Sequence, residues 1–122
     1  MAHENLKERT FLYALRVLEV VDAMPSGAKG RNIGGQLCRS GTSVAANYRA
    51  AARAKSRADF IHKLGIVQEE ADETLFWLEL IVRSEILPAT RLEPLITEGS
   101  EILAIIVSSI RTAKRNKGRE SA

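Results

Sequence analysis

Residues Ser56–Ile81 read SRADFIHKLGIVQEEADETLFWLELI, and this stretch decides the fold. Ser56 offers a capping side chain, and Asp59 stands three residues on to reach back, the usual opening of a helix. From there Phe60, Leu64, Val67, Ala71, Thr74, Leu78 and Ile81 recur in steps of four and three. That rhythm lasts for about six turns at ~3.6 residues each and stacks the apolar side chains on one face. A half-buried strand would alternate apolar and polar residues instead.

The flanking sequence repeats the pattern. Pro25-Ser26-Gly27 opens a polar break that reaches Gly30, Pro88 and Pro94 bracket another, and the link around Lys55 is shorter still. A first helix is predicted over roughly Asn5 to Met24, with Phe11, Ala14, Leu18 and Val21 as its buried stripe. A second is predicted over roughly Asn32 to Ala54, where Ile33, Leu37, Val44, Tyr48 and Ala51 fall within about 60° of one another. A fourth starts near Thr90, where Thr90 and Glu93 can form a second capping box, and carries Leu92, Leu95, Ile102, Leu103, Ile106 and Ile110. From Arg111 the chain turns basic and polar, and fraying is expected. Short connections force consecutive helices side by side. The expected fold is all-α: an antiparallel up-down-up-down four-helix bundle in a single domain over residues 1–122, with its core over about 5–113 and a basic flexible tail over 114–122.

Composition narrows the function classes. The chain has 122 residues, 45% hydrophobic and 27% charged, with a formal net charge of +3. That apolar content supports one real core and disfavours disorder. The longest aliphatic run, Ile102 to Val107, is too short to span a bilayer, so no membrane role is expected. Glu4, Lys7, Glu8 and Arg9 stand where a secretion signal needs an apolar stretch, which points to the cytoplasm. Cys38 is the only cysteine and reads as a small buried hydrophobe; His3 and His62 are the only histidines. No nucleophile motif, phosphate loop or metal-ligand spacing accompanies them, so neither an enzyme nor a cofactor or metal site is expected. Glu69 and Glu73 are i,i+4 partners, but a di-metal bundle site also wants Glu-x-x-His pairs, which are missing.

Apolar surface exceeds what a monomer needs. Leu75, Leu78 and Val82 share one face of the third helix, while Phe76 and Leu80 lie about 160° away. Ile105 and Val107 flank the Ile102/Ile106 stripe of the fourth helix on both sides. Phe76, Leu80, Ile105 and Val107 are therefore the expected contacts of a homo-oligomer.

Charge is segregated. From Lys29 to Arg57 the ionised residues are Lys29, Arg31, Arg39, Arg49, Arg53, Lys55 and Arg57, with no acid among them. From Asp59 to Glu101 ten acids face only Lys63, Arg83 and Arg91, and the tail reverses sign with Arg111, Lys114, Arg115, Lys117 and Arg119. On the second helix Arg31, Arg39, Arg49 and Arg53 project within about 80° of one another, opposite the core face. With Lys55, Arg57, Lys114, Arg115 and Lys117 they form a candidate phosphate-binding surface for RNA or DNA. The alternative is pairing of these arginines with Glu69, Glu70, Asp72, Glu73 and Glu79 of the third helix, which would leave a purely structural or protein-interaction module. The other flank of the second helix is small: Gly34, Cys38, Gly41, Ala45 and Ala52 permit a close neighbour, and Gly41 in mid-helix costs about 1 kcal/mol unless close packing compensates.

The run Gln36-Leu37-Cys38-Arg39-Ser40-Gly41-Thr42-Ser43-Val44-Ala45-Ala46-Asn47-Tyr48-Arg49 carries a resemblance. So do Ser56-x-x-Asp59-Phe60-Ile61-x-Lys63-Leu64, Glu69-Glu70-Ala71-Asp72-Glu73-Thr74 and Trp77-Leu78-Glu79-Leu80. Together they cover the middle half of the chain. The sequence resembles a bacterial four-helix-bundle family that includes proteins encoded in intervening sequences of large-subunit ribosomal RNA genes. The accessory variability determinants of diversity-generating retroelements belong to the same broad family. The resemblance implies a closed bundle assembling into a ring-shaped homopentamer, and an adaptor that binds nucleic acid or associates with a reverse transcriptase. Arg39, Ser43 and Asn47 match the family's motif, in a packing or a binding role. Many relatives carry an acid soon after the asparagine, whereas this chain reads Arg49-Ala50-Ala51, which leaves its second helix more cationic.

Overall fold

A computed structural model describes residues 5–121, with side chains through Asn116. His3, Lys117 and Arg119, as side chains, lie outside what is described. The fold is all-α: helices α1 (Leu6–Ala23), α2 (Ala28–Ala52), α3 (Arg57–Arg83) and α4 (Ala89–Ser121), with no strand among the described residues.

Local chemistry sets the boundaries. Ser56 caps α3 by accepting from the Asp59 N–H at 3.0 Å. Asp59 reaches back one residue further than the capping-box geometry expects, accepting from the Lys55 N–H at 3.2 Å. Lys63 donates to the same carboxylate at 3.0 Å, and these two bonds, that from Lys63 foremost, hold the Asp59 pKa below its ordinary value. At the far end of α3 the Ile86 N–H returns to the Ile81 carbonyl at 3.1 Å, with Glu85 in the left-handed region at φ 59°.

Two helices are longer than the sequence suggests. The second begins at Ala28 rather than Asn32, because Gly30 is a packing position inside the helix rather than part of the break. A Cβ on Gly30 would fall 1.9 Å from the Pro25 carbonyl oxygen, so the turn out of α1 and the first turn of α2 close only over glycine. The fourth continues through Arg111, where fraying was expected, to Ser121. Its basic segment sets the strong helix formers Ala113, Lys114, Arg115, Lys117, Arg119 and Glu120 against the weaker Thr112, Asn116 and Gly118.

α2 packs on α1 and α3, α3 on α4, and α4 also touches α1. Leu37, Val44, Leu64, Val67, Leu78, Ile81, Leu92, Ile102 and Ile106 are wholly buried, as the stripes of α2, α3 and α4 predict. On α1 the expected stripe is corrected. The buried face is Leu6, Thr10, Tyr13, Val17 and Val20, while Phe11 is 55% exposed and Leu18 39%. α1 carries two apolar stripes, and the core takes the one that fits its neighbours' glycines. A Cβ on Gly41 would lie 2.6 Å from Val17 Cγ1, and one on Gly99 would lie 2.5 Å from the Tyr13 hydroxyl. Val17 and Tyr13 fill the space those missing side chains leave.

Polar contacts also join the helices. Arg9 of α1 grips Glu98 of α4 with two 2.7 Å bonds and reaches Glu101 at 2.9 Å. The Arg9 contact holds the Glu98 carboxyl below its ordinary range, against the opposing effect of burial. Buried Ser40 and Thr74 share a 3.0 Å hydrogen bond between α2 and α3. The Tyr13 hydroxyl is buried without a partner among the described residues, and burial pushes its pKa well up.

Candidate nucleic-acid interface

The arginines of α2 do not act as one stripe. Arg39 lies across α3, bonded to Glu70 at 3.1 Å and to Glu73. Glu73 is in turn held by the Trp77 indole N–H at 3.0 Å, and the Trp77 bond first, then the Arg39 bond, lowers its pKa. Arg39 itself is shifted up, chiefly by its bond to Glu73. Arg31 stands at the other end of α2, bonded to the Ser26 carbonyl. The motif residues Ser43 and Asn47 are half-buried and stay within α2, where the Asn47 amide donates to the Ser43 carbonyl at 2.9 Å.

The remaining cations converge at one end of the fold. Arg49 and Arg53 occupy the last turn and cap of α2, both exposed, followed by exposed Lys55 and half-buried Arg57. Arg57 and Phe60 share a cleft of about 350 Å³ with Ser108, Thr112 and Asn116, which brings the basic end of α4 beside the α2–α3 link. Lys114 and Arg115 are exposed there, as is Arg111. Lys7, in the first turn of α1, shares a groove with Arg49 and joins the cluster. Sequence reasoning missed Lys7, because only the packing of α1 on α2 carries it to Arg49. Among the described residues the acids at this end are Glu8, which is exposed, and Asp59, already engaged by Lys63 and the Lys55 N–H.

The expected oligomer contacts divide as well. Phe76 is 53% exposed and packs edge-on against Trp77, with ring centroids 4.9 Å apart. Leu80 and Val107 are half-buried, and Ile105 packs against the core. The larger exposed apolar surface lies on α1, where Phe11, Leu12, Leu15 and Leu18 face outward. Its signal was present as the second stripe of α1, read as core. Cys38 is half-buried with a free thiol. Among the described residues no three His, Cys, Asp or Glu side chains gather as metal ligands, and no helix is long and apolar enough to cross a membrane.

Four packed helices, a cation cluster drawn from separate segments and an uncovered apolar helix face define a small all-α protein whose conspicuous features are surfaces. The chain belongs to the 23S rRNA-intervening sequence protein family, whose family model matches residues 5–108. It is similar to a crystal structure from Bacteroides thetaiotaomicron, described as a protein with unknown function from the S23 ribosomal protein family. The two share 37% identity over 86% of this chain and 97% of that one, with a TM-score of 0.81. No curated protein matches the chain.

Proposed function

We propose that this protein is a non-enzymatic, cytoplasmic, self-associating helical adaptor that binds nucleic acid by neutralising phosphates at the basic end of its fold. The observation that carries this reading is the cleft where Arg57 meets Thr112 and Asn116, which sets the cations after α2 beside those ending α4. Phosphate contact of this kind positions a partner without reading its bases. The helices are taken as an antiparallel up-down-up-down bundle: Gly34 lies against Met24 and Val21 while Gly41 lies against Val17, so α1 and α2 run in opposite directions. The family resemblance adds the ring-shaped homopentamer and a reverse transcriptase as a protein partner.

A second reading has one specific observation in its favour. Arg39 is held by Glu70 and Glu73, as a structural module with internally paired arginines would have it. Duplex DNA binding separates the two. Arg53→Ala combined with Lys114→Ala is expected to weaken binding to unrelated sequences alike and to lower the salt slope by roughly 2, about one per lost phosphate contact. Arg39→Ala is expected to leave affinity unchanged and to lower stability. A double variant that binds as tightly as the parent protein contradicts the phosphate-binding reading.

A further inference from the structure

We propose that the cleft between the start of α3 and the end of α4 is a stacking site for one unpaired nucleotide of a DNA or RNA strand. This deepens the phosphate-binding reading above and rests on it: the cations hold the strand, and the cleft takes a base that pairing has left free.

Phosphate neutralisation needs charge alone, and this cleft offers more. Its volume is about 350 Å³, room for a base with its sugar. On the α3 side Phe60 is half-buried, packing against the core and lining the cleft at once, so its ring is held in place. On the α4 side Ser108, Ser109, Thr112 and Asn116 supply three hydroxyls and an amide. These groups both donate and accept, so they suit the polar edge of any base or the hydroxyls of a sugar. Every base has a π-face, and an aromatic ring set beside cations is how sequence-tolerant single-strand binders hold theirs. A paired base inside a duplex already has both faces covered by its neighbours and leaves the ring unused. One ring among hydroxyls and an amide is also too polar a lining for an acyl chain.

The flanking charge fits a strand that passes over the cleft. Exposed Arg111 and Arg115 follow Ser108 and Thr112 by three residues each, about 60° round α4 from the lining they flank. Exposed Lys55 lies in the link that leads into α3 on the opposite side. Asp59, next to Phe60 in sequence, is engaged by Lys63 and the Lys55 N–H. A nucleotide whose base lies on Phe60 therefore leaves its phosphates at the rim, within the field of Lys55 on one side and of Arg111 and Arg115 on the other.

An abasic strand separates stacking from charge, because it keeps every phosphate and lacks the bases. Fluorescence anisotropy at one fixed salt concentration compares it with oligothymidylate and oligouridylate of the same length, and with duplex DNA. Both base-bearing strands are expected to bind about tenfold more tightly than the abasic one. Phe60→Leu, which keeps apolar bulk without the ring, is expected to reduce them to the abasic level and to leave duplex affinity and its salt slope unchanged. Ser108→Leu, at an exposed position, fills the cleft from the α4 side and is expected to do the same, with circular dichroism checking both folds. Equal gains for thymidine and uridine strands support a site that holds the base, and a larger gain for uridine supports one whose hydroxyls also take the 2′-hydroxyl. Equal binding of abasic and base-bearing strands, or a preference that survives both variants, overturns the stacking site and leaves phosphate binding standing. Failure of every probe to bind at low salt overturns both.

Discussion

Gly41→Ala probes the closest approach between α1 and α2. The new Cβ would lie 2.6, 2.8 and 3.0 Å from Val17 Cγ1, Cγ2 and Cβ, where ordinary contact begins at 3.4 Å. Val17 is wholly buried and β-branched, so it has no second rotamer to escape into, and α1 itself must move. Overpacking of this kind costs about 1–3 kcal/mol, and three simultaneous short contacts with a stiff side chain place Gly41 in the upper part of that range. Alanine recovers about 1 kcal/mol of helix propensity. The expected net loss is about 1–2 kcal/mol, or roughly 4–8 °C in Tm for a domain of this size. Gly35→Ala, on the same helix with nothing within 4 Å, supplies the propensity gain alone and is expected to stabilise by about 1 kcal/mol. Thermal and urea unfolding at one fixed protein concentration gives both values. Adding Val17→Ala to Gly41→Ala should cost less than the two single changes summed, because the clash is then gone. Equal stabilisation by Gly41→Ala and Gly35→Ala would refute the close approach.

Two further changes probe the polar contacts. Thr74→Val removes the hydroxyl that lies 3.0 Å from Ser40 and 2.7 Å from the Glu70 carbonyl in a buried site, and is expected to cost about 1–2 kcal/mol by urea unfolding; adding Ser40→Ala should recover part of that loss. Glu98→Gln tests the clasp with Arg9. The folded-state pKa of Glu98 lies below its ordinary 4.5, so the stabilisation is complete above that value and disappears as pH falls through the folded pKa. The variant is expected to lose roughly 1–2 kcal/mol at neutral pH and to show a shallower fall in stability below about pH 4.5.

How much was legible in the sequence depends on whether a helix carries one apolar stripe or two. Leu64, Val67, Ala71, Leu78 and Ile81 form the single dominant stripe of α3 and are buried as their spacing predicts. α1 offered Phe11, Ala14, Leu18 and Val21 on one side and Leu6, Tyr13, Val17 and Val20 on another. Periodicity cannot choose between them, because the choice is made by Gly41 and Gly99, which are distant in sequence. The same holds for charge. Arg39 and Arg53 share a helix face, yet only Arg39 stands opposite Glu70 and Glu73, whereas Arg53 caps the far end of α2, at the link into α3. The basic end was thus readable as a set of residues but not as a place. Lys7 and the groove beside it needed the register of α1 on α2.

The salt dependence of duplex DNA binding tests the phosphate-neutralising function most directly. Arg53, Lys55, Lys114 and Arg115 are exposed together, and four phosphate contacts correspond to a slope of log K against log salt near about −4 on duplex DNA. A slope of that size, equal for unrelated duplexes, is the expected result. Binding that is absent at low salt, or flat between low and moderate salt, would contradict it.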